Sequence, residues 1–522
     1  MINLTIDNKP IQVSEGTTIL EAAESAGIKI PTLCYIKDLL PLTSCMLCVV
    51  KVEGRRNLLP ACATRVEEGM AVKNDDQDVT LARRTALELL LSDHVGDCMG
   101  PCQVACPAGM NIPEMLRHMA AGRYDKAIET IKENLALPAV TGYICPAPCE
   151  KACRRGQVDE SIAVRLVKRC AAELDLAETA PYKPPVSPDN NKKVAIIGAG
   201  PAGLSAAYYL QREGVSCIVF DDRDEPGGML RYGVPEDELP RAVLDAEIDQ
   251  IKGLGVVFRQ QVRVGRDVSL EELKNNYDAI FMGIGKVSSG DLEAFGFTDG
   301  KGTLTVNQDT MQTDSPGVFA GGDVRKGLKL TVRSLADGKK AAAGIIQFLN
   351  KEPVTGALRP FNTRMGKLEP EELAQLSGFI KKDDRKKTAD TGNGLNQEQA
   401  SYESAFCLHC DCRKDSSCKL RVFSREYGAK ATRYKGKQRE YLYRDEHPDL
   451  VYEPGKCISC GICVRITEKQ KEKLGLTFIG RGFDVKVAVP FDRSITEGLS
   501  KAASEVVKGC PTGALAFKVD LI

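Results

Sequence analysis

Twenty cysteines, all but two of them gathered into four groups, constrain this 522-residue chain more than any other feature. Only Cys170 and Cys217 stand alone. An isolated cysteine reads as a small buried hydrophobe, and Cys217, inside "SCIVF", fits that description. The groups need another explanation. The opening "MINLTIDNKPIQVSEG" has no charged segment followed by an apolar one, so no secretory leader is expected. In an unexported chain, clustered thiols argue for metal rather than for disulfides. The longest uncharged run, Val194–Gln211, carries a glycine-rich turn in its middle and does not read as a membrane span. Lysine plus arginine equals aspartate plus glutamate at 71 each, which gives no global reason to expect nucleic acid or an anionic membrane. The expectation is a soluble cytoplasmic protein of three or four domains, without direct membrane insertion.

Residues 1–80 predict two short strands, "INLTIDN" and "KPIQV", then a helix "TTILEAAESAG" with Thr17 or Thr18 near its cap. Cys34-x10-Cys45-x2-Cys48-x13-Cys62 follows. Three thiolates on one loop and a fourth from a following strand is how a β-grasp ferredoxin encloses two irons, although the plant-type spacing has a shorter first gap. The longer gap resembles the domain that opens the large iron–sulfur subunit of respiratory complex I and several iron hydrogenases. That resemblance implies a [2Fe-2S] cluster on Cys34, Cys45, Cys48 and Cys62. Zinc is the alternative, though zinc sites favour two C-x2-C pairs.

Residues 81–185 read as helical, with Cys98, Cys102 and Cys106 in "DCMGPCQVACP" and Cys145, Cys149 and Cys153 in "ICPAPCEKAC". The second block resembles the signature of the glutamate synthase small subunit family, which includes dihydropyrimidine dehydrogenase. The resemblance implies two [4Fe-4S] clusters with interleaved ligands. Cys102, Cys106, Cys149 and Cys153 would hold one, and Cys98 and Cys145 half of the other. The chain departs from the family twice. "HVGDC" stands where the family has a leading C-x2-C, and His94-x3-Cys98 resembles the His-containing cluster motif of complex I and hydrogenases. An imidazole can replace a thiolate on iron, so His94 is a candidate ligand, beside the plainer reading of a surface histidine capping a helix end. The family's last ligand, a Gln or Glu, falls near Lys168, and a protonated lysine cannot ligate iron. Cys170, two residues on, faces another side of the helix.

In residues 186–352, "KKVAIIGAGPAGLSAAYYLQREGVSCIVFDD" gives an apolar strand, Gly198-x-Gly200-Pro201-Ala202-Gly203, a helix, and a strand ending at Asp221. The glycines let the backbone approach a pyrophosphate at the helix N-terminus, and the terminal acid hydrogen-bonds a ribose hydroxyl. "EPGGMLRYGVPEDELPR" and "TDSPGVFAGGDV" resemble the flavin-contacting segments of the same family. They imply FAD, with Gly228 and Met229 along the flavin and Gly322 and Asp323 near the ribityl chain and phosphates. The helix "LTVRSLADGKKAAAGIIQFL" would present its N-terminus to the isoalloxazine. In that family "YDAIFMGIG" leads into a second Rossmann domain for NAD(P)H, which needs on the order of 100 residues. Only about 30 lie between Gly285 and Gly317, without a second glycine fingerprint opening a helix. The expectation is FAD without a built-in nicotinamide donor. A disulfide reductase is not expected either, because Lys193–Asp323 holds one cysteine, in a strand.

Residues 353–400 contain "KKDDRKKTADTGNGLNQEQ", which reads as a linker. Residues 401–445 give Cys407-x2-Cys410-x-Cys412-x5-Cys418, four thiols expected to bind metal. "ESAFCLHC" resembles the "EAxRCLxC" that introduces a cluster in the glutamate synthase family, which favours [4Fe-4S] and leaves zinc open. The basic "KATRYKGKQREYLYR" is read as a solvated or partner-docking face rather than a nucleic-acid interface. Residues 446–522 resemble a ferredoxin-type insert of complex I and hydrogenases. In a two-cluster ferredoxin each run is C-x2-C-x2-C-x3-C-P, and each fourth cysteine ligates the other cluster. Here Cys457, Cys460 and Cys463 are followed by Thr467 at the fourth place. Of the second run only Cys510 survives, with Ser500, Ala503 and Val506 in the other places. The losses are the ligands of one cluster, and the retained thiols complete a single [4Fe-4S] site.

The expected fold class is α/β multidomain, with a β-grasp domain, a helical iron–sulfur domain, a Rossmann-like FAD domain and a C-terminal ferredoxin-like α+β domain. The expected cofactors are FAD, one [2Fe-2S] and two or more [4Fe-4S] clusters. No nucleophile–base constellation accompanies them, so the cofactors carry the chemistry. The expected function is that of an electron-transfer subunit in a soluble, anaerobic, multi-subunit oxidoreductase, with electron bifurcation among the roles open to its flavin. Its expected partners are a complex I-like NADH-binding flavoprotein subunit, a hydrogenase or formate or aldehyde dehydrogenase catalytic subunit, and ferredoxin. A self-contained FAD enzyme acting on a small substrate, and a scaffold with structural FAD, are the alternatives.

Overall fold

The computed structural model describes residues 1–518 except 289–291, 294, 296, 298–303, 326–329, 379–384, 386–392, 415, 435 and 437. Part of the stretch read as a linker over 353–400, and part of the insert between Gly285 and Gly317, lie outside the described residues. The chain forms two compact units. The first is built from Met1–Met99, Pro360–Phe379 and Cys410–Ile522, the second from Gly100–Arg359 and Ile380–His409. In sequence, therefore, the second unit interrupts the first. The helical region read over 81–185 is shared between them, and the group Cys407–Cys418 is divided, with Cys407 in the second unit and the other three thiols in the first.

The first unit opens with a five-stranded sheet in the order Lys9–Val13, Ile2–Ile6, Met70–Lys73, Val49–Val52, Leu59–Pro60. The first two strands form a hairpin whose turn residues Asp7 and Asn8 sit at φ 50° and 65°, the left-handed pair that a tight two-residue turn requires. Leu4 and Ile6 alternate inward with period two and pack on Ile19, Leu20, Ala22 and Ala23 of the helix Ile19–Ser25. That helix starts at Thr18, whose hydroxyl accepts from the Glu21 N–H (3.2 Å) while the Glu21 carboxylate reaches back to the Thr18 N–H (2.8 Å). In the C-terminal part, Leu450–Tyr452 pairs antiparallel with Leu515–Phe517, and helices Ile462–Lys469 and Ala503–Gly509 pack together.

The second unit carries a parallel sheet in the order Val318–Ala320, Ala279–Met282, Lys193–Ile197, Ser216–Phe220, Val257–Arg259. Its central strands are apolar almost throughout, as strands covered on both faces must be. Val318 pairs with Ile280, so the chain that leaves this strand returns as its immediate neighbour. Helix Pro201–Arg212 packs against helix Thr331–Leu349 at very close range. A Cβ on Gly338 would lie 2.3 Å from the Ala202 carbonyl, so only glycine allows that approach. Helices Ile112–Ala120, Tyr124–Asn134, Pro138–Ile144 and Val164–Ala177 complete the unit. No helix among the described residues is long and apolar enough to cross a membrane.

Candidate functional site

Four sets of side chains stand out. In the N-terminal sheet, Cys34 and Cys45 form one hydrogen-bonded pair, and Cys48 and Cys62 form another with their sulfurs 3.3 Å apart. Each pair behaves as a thiol sharing its proton with a thiolate. The hydrogen bond with Cys45 brings Cys34 down to about 6 and that with Cys62 brings Cys48 down to about 7, while Cys45 and Cys62 are pushed up. Two pairs side by side are the arrangement of a two-iron cluster, with one pair for each iron.

At the C-terminus, Cys457, Cys460, Cys463 and Cys510 line one small enclosed pocket with Tyr452, Val487 and Leu515. Ser459, at φ 52°, donates its N–H to the Cys457 sulfur at 3.4 Å. Burial pushes the Cys457 thiol up to about 11 and raises Cys463 well above its ordinary value, so bare thiolates are disfavoured and a metal must displace the protons. Three of the positions expected to lack a ligand are engaged in other ways. Thr467 donates to the Val464 carbonyl (2.9 Å) and accepts from the Leu476 N–H (3.1 Å). Ser500 donates to Glu472 (2.7 Å), and Val506 is fully buried in a core with Ile466, Leu476 and Leu499.

In the second unit, Cys106, Cys145 and Cys149 line a pocket with Lys168, Arg165 and Val332. Proline begins both short helices that deliver these thiols, Pro101–Ala105 and Pro148–Lys151, which pack together. Ala147, at φ 48°, makes the sharp turn between Cys145 and Cys149. Burial pushes the Cys149 thiol up to about 12 and lowers the Lys168 ammonium, which the three sulfurs oppose. Cys102, Cys153 and Cys407 pack in the same unit's core. His409, at φ 47°, donates its N–H to the Cys407 sulfur (3.4 Å), the same local turn as at Cys457. Cys170 is not among the pocket residues; it is buried within the helical core, next to Glu173 in charge terms alone.

The fourth set was not legible from spacing. Cys98, expected to share a cluster with Cys145, lies in the other unit. The Cys412 N–H donates to the Cys98 carbonyl (3.3 Å), and the charge of Cys98 reaches both Cys412 and Cys418. Thr363, from the stretch read as a linker, fixes this corner. Its hydroxyl lies 3.2 Å from the Cys98 sulfur, its N–H donates to that sulfur (3.5 Å), and its hydroxyl donates to the Gly96 carbonyl (2.7 Å). His94 is half-buried, with its Nδ1 turned inward. Its Nδ1 has no hydrogen-bond partner among the described residues, and burial lowers the imidazole to about 3, with Lys456 and Arg439 adding to the shift. Lys456 also acts on Cys412, and Cys412 sits where a Cβ on Gly513 would have to be.

The glycine loop of the parallel sheet fits a dinucleotide. A Cβ on Gly203 would lie 1.9 Å from the Gly198 carbonyl, which forces helix and strand together, whereas Gly200 faces space with its nearest neighbour 4.0 Å away at Gly228. Gly228 (φ 52°) and Gly322 (φ 80°) approach Gly200 and Ala202, so both downstream segments converge on the loop. Asp221 accepts from the Ala199 N–H (2.5 Å) and the Arg223 N–H (2.9 Å), which anchors the loop and leaves carboxylate lone pairs for a sugar hydroxyl. Met229, at the start of helix Met229–Tyr232, is exposed, and Asp323 follows Gly322, whose N–H donates to Asp337 (3.1 Å).

Comparisons with known proteins agree with this layout. Residues 1–77 match a 2Fe-2S iron-sulfur cluster binding domain, 92–180 the dihydropyrimidine dehydrogenase domain II, 4Fe-4S cluster, and 196–253 an NAD(P)-binding Rossmann-like domain. The chain is 42% identical over 187 residues to the NADPH-Fe(3+) oxidoreductase subunit beta of Geobacter sulfurreducens, covering 35% of this chain and 28% of that one. It is 39% identical over 223 residues to the NADP(+)-dependent formate dehydrogenase subunit beta of Moorella thermoacetica, covering 39% and 32%. It is 38% identical over 192 residues to the glutamate synthase [NADPH] small chain of Mycobacterium tuberculosis, covering 36% and 38%. The chain thus spans only about a third of the length of these relatives. The three matched models give this chain a 2Fe-2S domain, a dihydropyrimidine dehydrogenase-type 4Fe-4S domain and a Rossmann-like dinucleotide domain, and its relatives are subunits of oxidoreductases.

Proposed function

We propose that this chain is an electron-transfer subunit of a multi-subunit oxidoreductase, holding FAD on the glycine loop and iron–sulfur clusters at the four cysteine sets. Cys34, Cys45, Cys48 and Cys62 hold the [2Fe-2S] cluster, and Cys457, Cys460, Cys463 and Cys510 a [4Fe-4S] cluster. Cys106, Cys145 and Cys149 hold another. His94, Cys98, Cys412 and Cys418 form the set on which a further cluster is built, in place of the expected pairing of Cys98 with Cys145.

One observation carries the reading. Val332, in the first turn of the helix Thr331–Leu349, lines the same pocket as Cys106, Cys145 and Cys149. That helix packs on the glycine-loop helix, so its N-terminus belongs to both the dinucleotide cradle and the thiol pocket. Bound there, FAD supplies exchange between two-electron and one-electron transfer. The chain's own residues hold the two groups adjacent, and the buried aliphatic walls keep water out. A complex I-like NADH-binding flavoprotein subunit, a hydrogenase or a formate or aldehyde dehydrogenase subunit, and ferredoxin are the partners this reading calls for.

The test is anaerobic reduction of the purified holo chain. Dithionite or reduced ferredoxin should bleach flavin and clusters, while NADH and NADPH alone leave them oxidised, and native purification should bring down redox subunits. Rapid reduction of the isolated chain by either nicotinamide would overturn the reading.

A further inference from the structure

The pocket of the second unit holds three thiols and one ammonium. Lys168 is 5% exposed, and its Nζ donates to Thr141 Oγ1 at 2.8 Å, its one hydrogen-bond partner among the described residues. Thr141 cannot neutralise a charge, since its own proton goes to the Leu137 and Pro138 carbonyls (2.9 and 3.1 Å). No carboxylate forms an ion pair with Lys168 within the described residues. The buried Glu247 instead accepts from the Ala139 and Val140 N–H groups (2.7 and 2.8 Å). Arg165, the other cation of the pocket, is turned to the Gly142 and Tyr143 carbonyls (3.1 and 3.0 Å). The sulfurs of Cys145, Cys106 and Cys149, which line the pocket with it, are the foremost negative charges that face Lys168, and the Glu247 and Glu150 carboxyls act on it without a hydrogen bond to it.

An unpaired ammonium in an apolar pocket is strongly disfavoured unless negative charge stands beside it. Three thiolates on iron supply that charge, and added electrons increase it. We infer that Lys168 is a positioning residue that stands at the pocket's fourth side as a fixed cation rather than a ligand, so that the cluster held by Cys106, Cys145 and Cys149 has three protein sulfurs and a raised reduction potential. This rests on the reading that the pocket holds a cluster. A positive charge at contact range favours the reduced, more negative form, and more so where water is excluded. Placed beside the dinucleotide cradle, such a cluster accepts electrons from it more readily than an all-cysteine site would.

The experiment is a redox titration of the holo chain followed by EPR, with iron analysis, for the wild type, Lys168→Met and Lys168→Arg. Cys149→Ala identifies the signal. Lys168→Met should keep its iron and shift the ratio of reduced to oxidised cluster at fixed poise at least tenfold toward oxidised, about 59 mV for a one-electron couple. Lys168→Arg, which keeps the charge, should stay within about threefold of the wild type on the same scale. Iron lost from Lys168→Met but kept by Lys168→Arg would also support the role of the charge. An unmoved midpoint in Lys168→Met, or loss of the iron from both variants, would overturn the inference alone. If Cys149→Ala removes no iron and no signal, the cluster reading of this pocket falls with it.

Discussion

Two lysines are buried beside thiols in this molecule, one in each unit, and they are held in opposite ways. Lys456, 2% exposed, lies next to Cys412 and is paired with Glu453 at 2.6 Å. Burial works to lower its ammonium, yet the Glu453 carboxylate outweighs that and its pKa is raised. Lys168 has only a hydroxyl, and its pKa is lowered. A compensated pair such as Lys456–Glu453 is part of the structure whether or not metal is present. An uncompensated ammonium depends for its charge on whatever fills the pocket. The first is architecture around a cluster site, and the second is poised to act on one.

The largest effect that would sharpen this contrast is at Gly513. A Cβ there would lie 2.1 Å from the Cys412 sulfur, so Gly513→Ala must displace the thiol. The variant should lose about four irons, the content of one cubane cluster, by metal analysis of the purified chain, while the Cys106/Cys145/Cys149 signal survives. Unchanged iron content would mean that Cys412 is no ligand and that Lys456 is not beside a cluster. Next comes the ion pair itself. Lys456→Met leaves the Glu453 carboxylate buried and alone, a loss of about 3–5 kcal/mol, seen as an earlier denaturant midpoint of the first unit. Lys168→Met orphans no carboxylate and should change stability by no more than about 1 kcal/mol. Equal costs for the two substitutions would erase the distinction between them.

The parts of the molecule that could be read in advance are those whose partners are close in sequence. The pairs around Cys34 to Cys62 and the single site around Cys457 come from short runs with fixed gaps, and the strand–loop–helix of Gly198–Asp221 is a local pattern. Thr467 and Val506, read as standing where a second cluster would have its ligands, lie beside an apolar core with Ile466, Leu476 and Leu499. Cys98 misled because its sequence neighbours, Cys102 and Cys106, belong to the other unit. The crossing between units falls at Met99 and Gly100, where Gly100–Pro101 signals a turn into a short helix but nothing in it signals a change of unit. Thr363 was hidden inside a polar stretch, since a hydroxyl that serves a sulfur more than 250 positions away leaves no periodic trace. Lys168 stood near the position of the family's last ligand by resemblance, and it lines the pocket of Cys106, Cys145 and Cys149. Its burial could not be inferred, because a lysine on a helix ordinarily snorkels to water.

Whether Lys168 truly lacks a counter-ion can be tested from the acid nearest to it in charge terms. Burial pushes the Glu247 carboxyl up to about 7, although the Val140 and Ala139 N–H groups and the two lysines Lys132 and Lys168 pull the other way. A carboxyl raised in the folded state from the model-peptide value contributes stability that is complete below the unfolded pKa and is lost as pH rises through the folded one. The wild type should therefore lose about 2 kcal/mol between pH 5 and pH 7 from this group alone. Glu247→Gln, uncharged throughout, should flatten that slope in thermal melts of the holo chain across the same range. Were Glu247 the ion-pair partner of Lys168, its carboxyl would be depressed instead, the sign would reverse, and the wild type would gain stability over that interval while the glutamine variant did not. A falling profile that Glu247→Gln levels means that Lys168 does not hold Glu247 as its paired carboxylate.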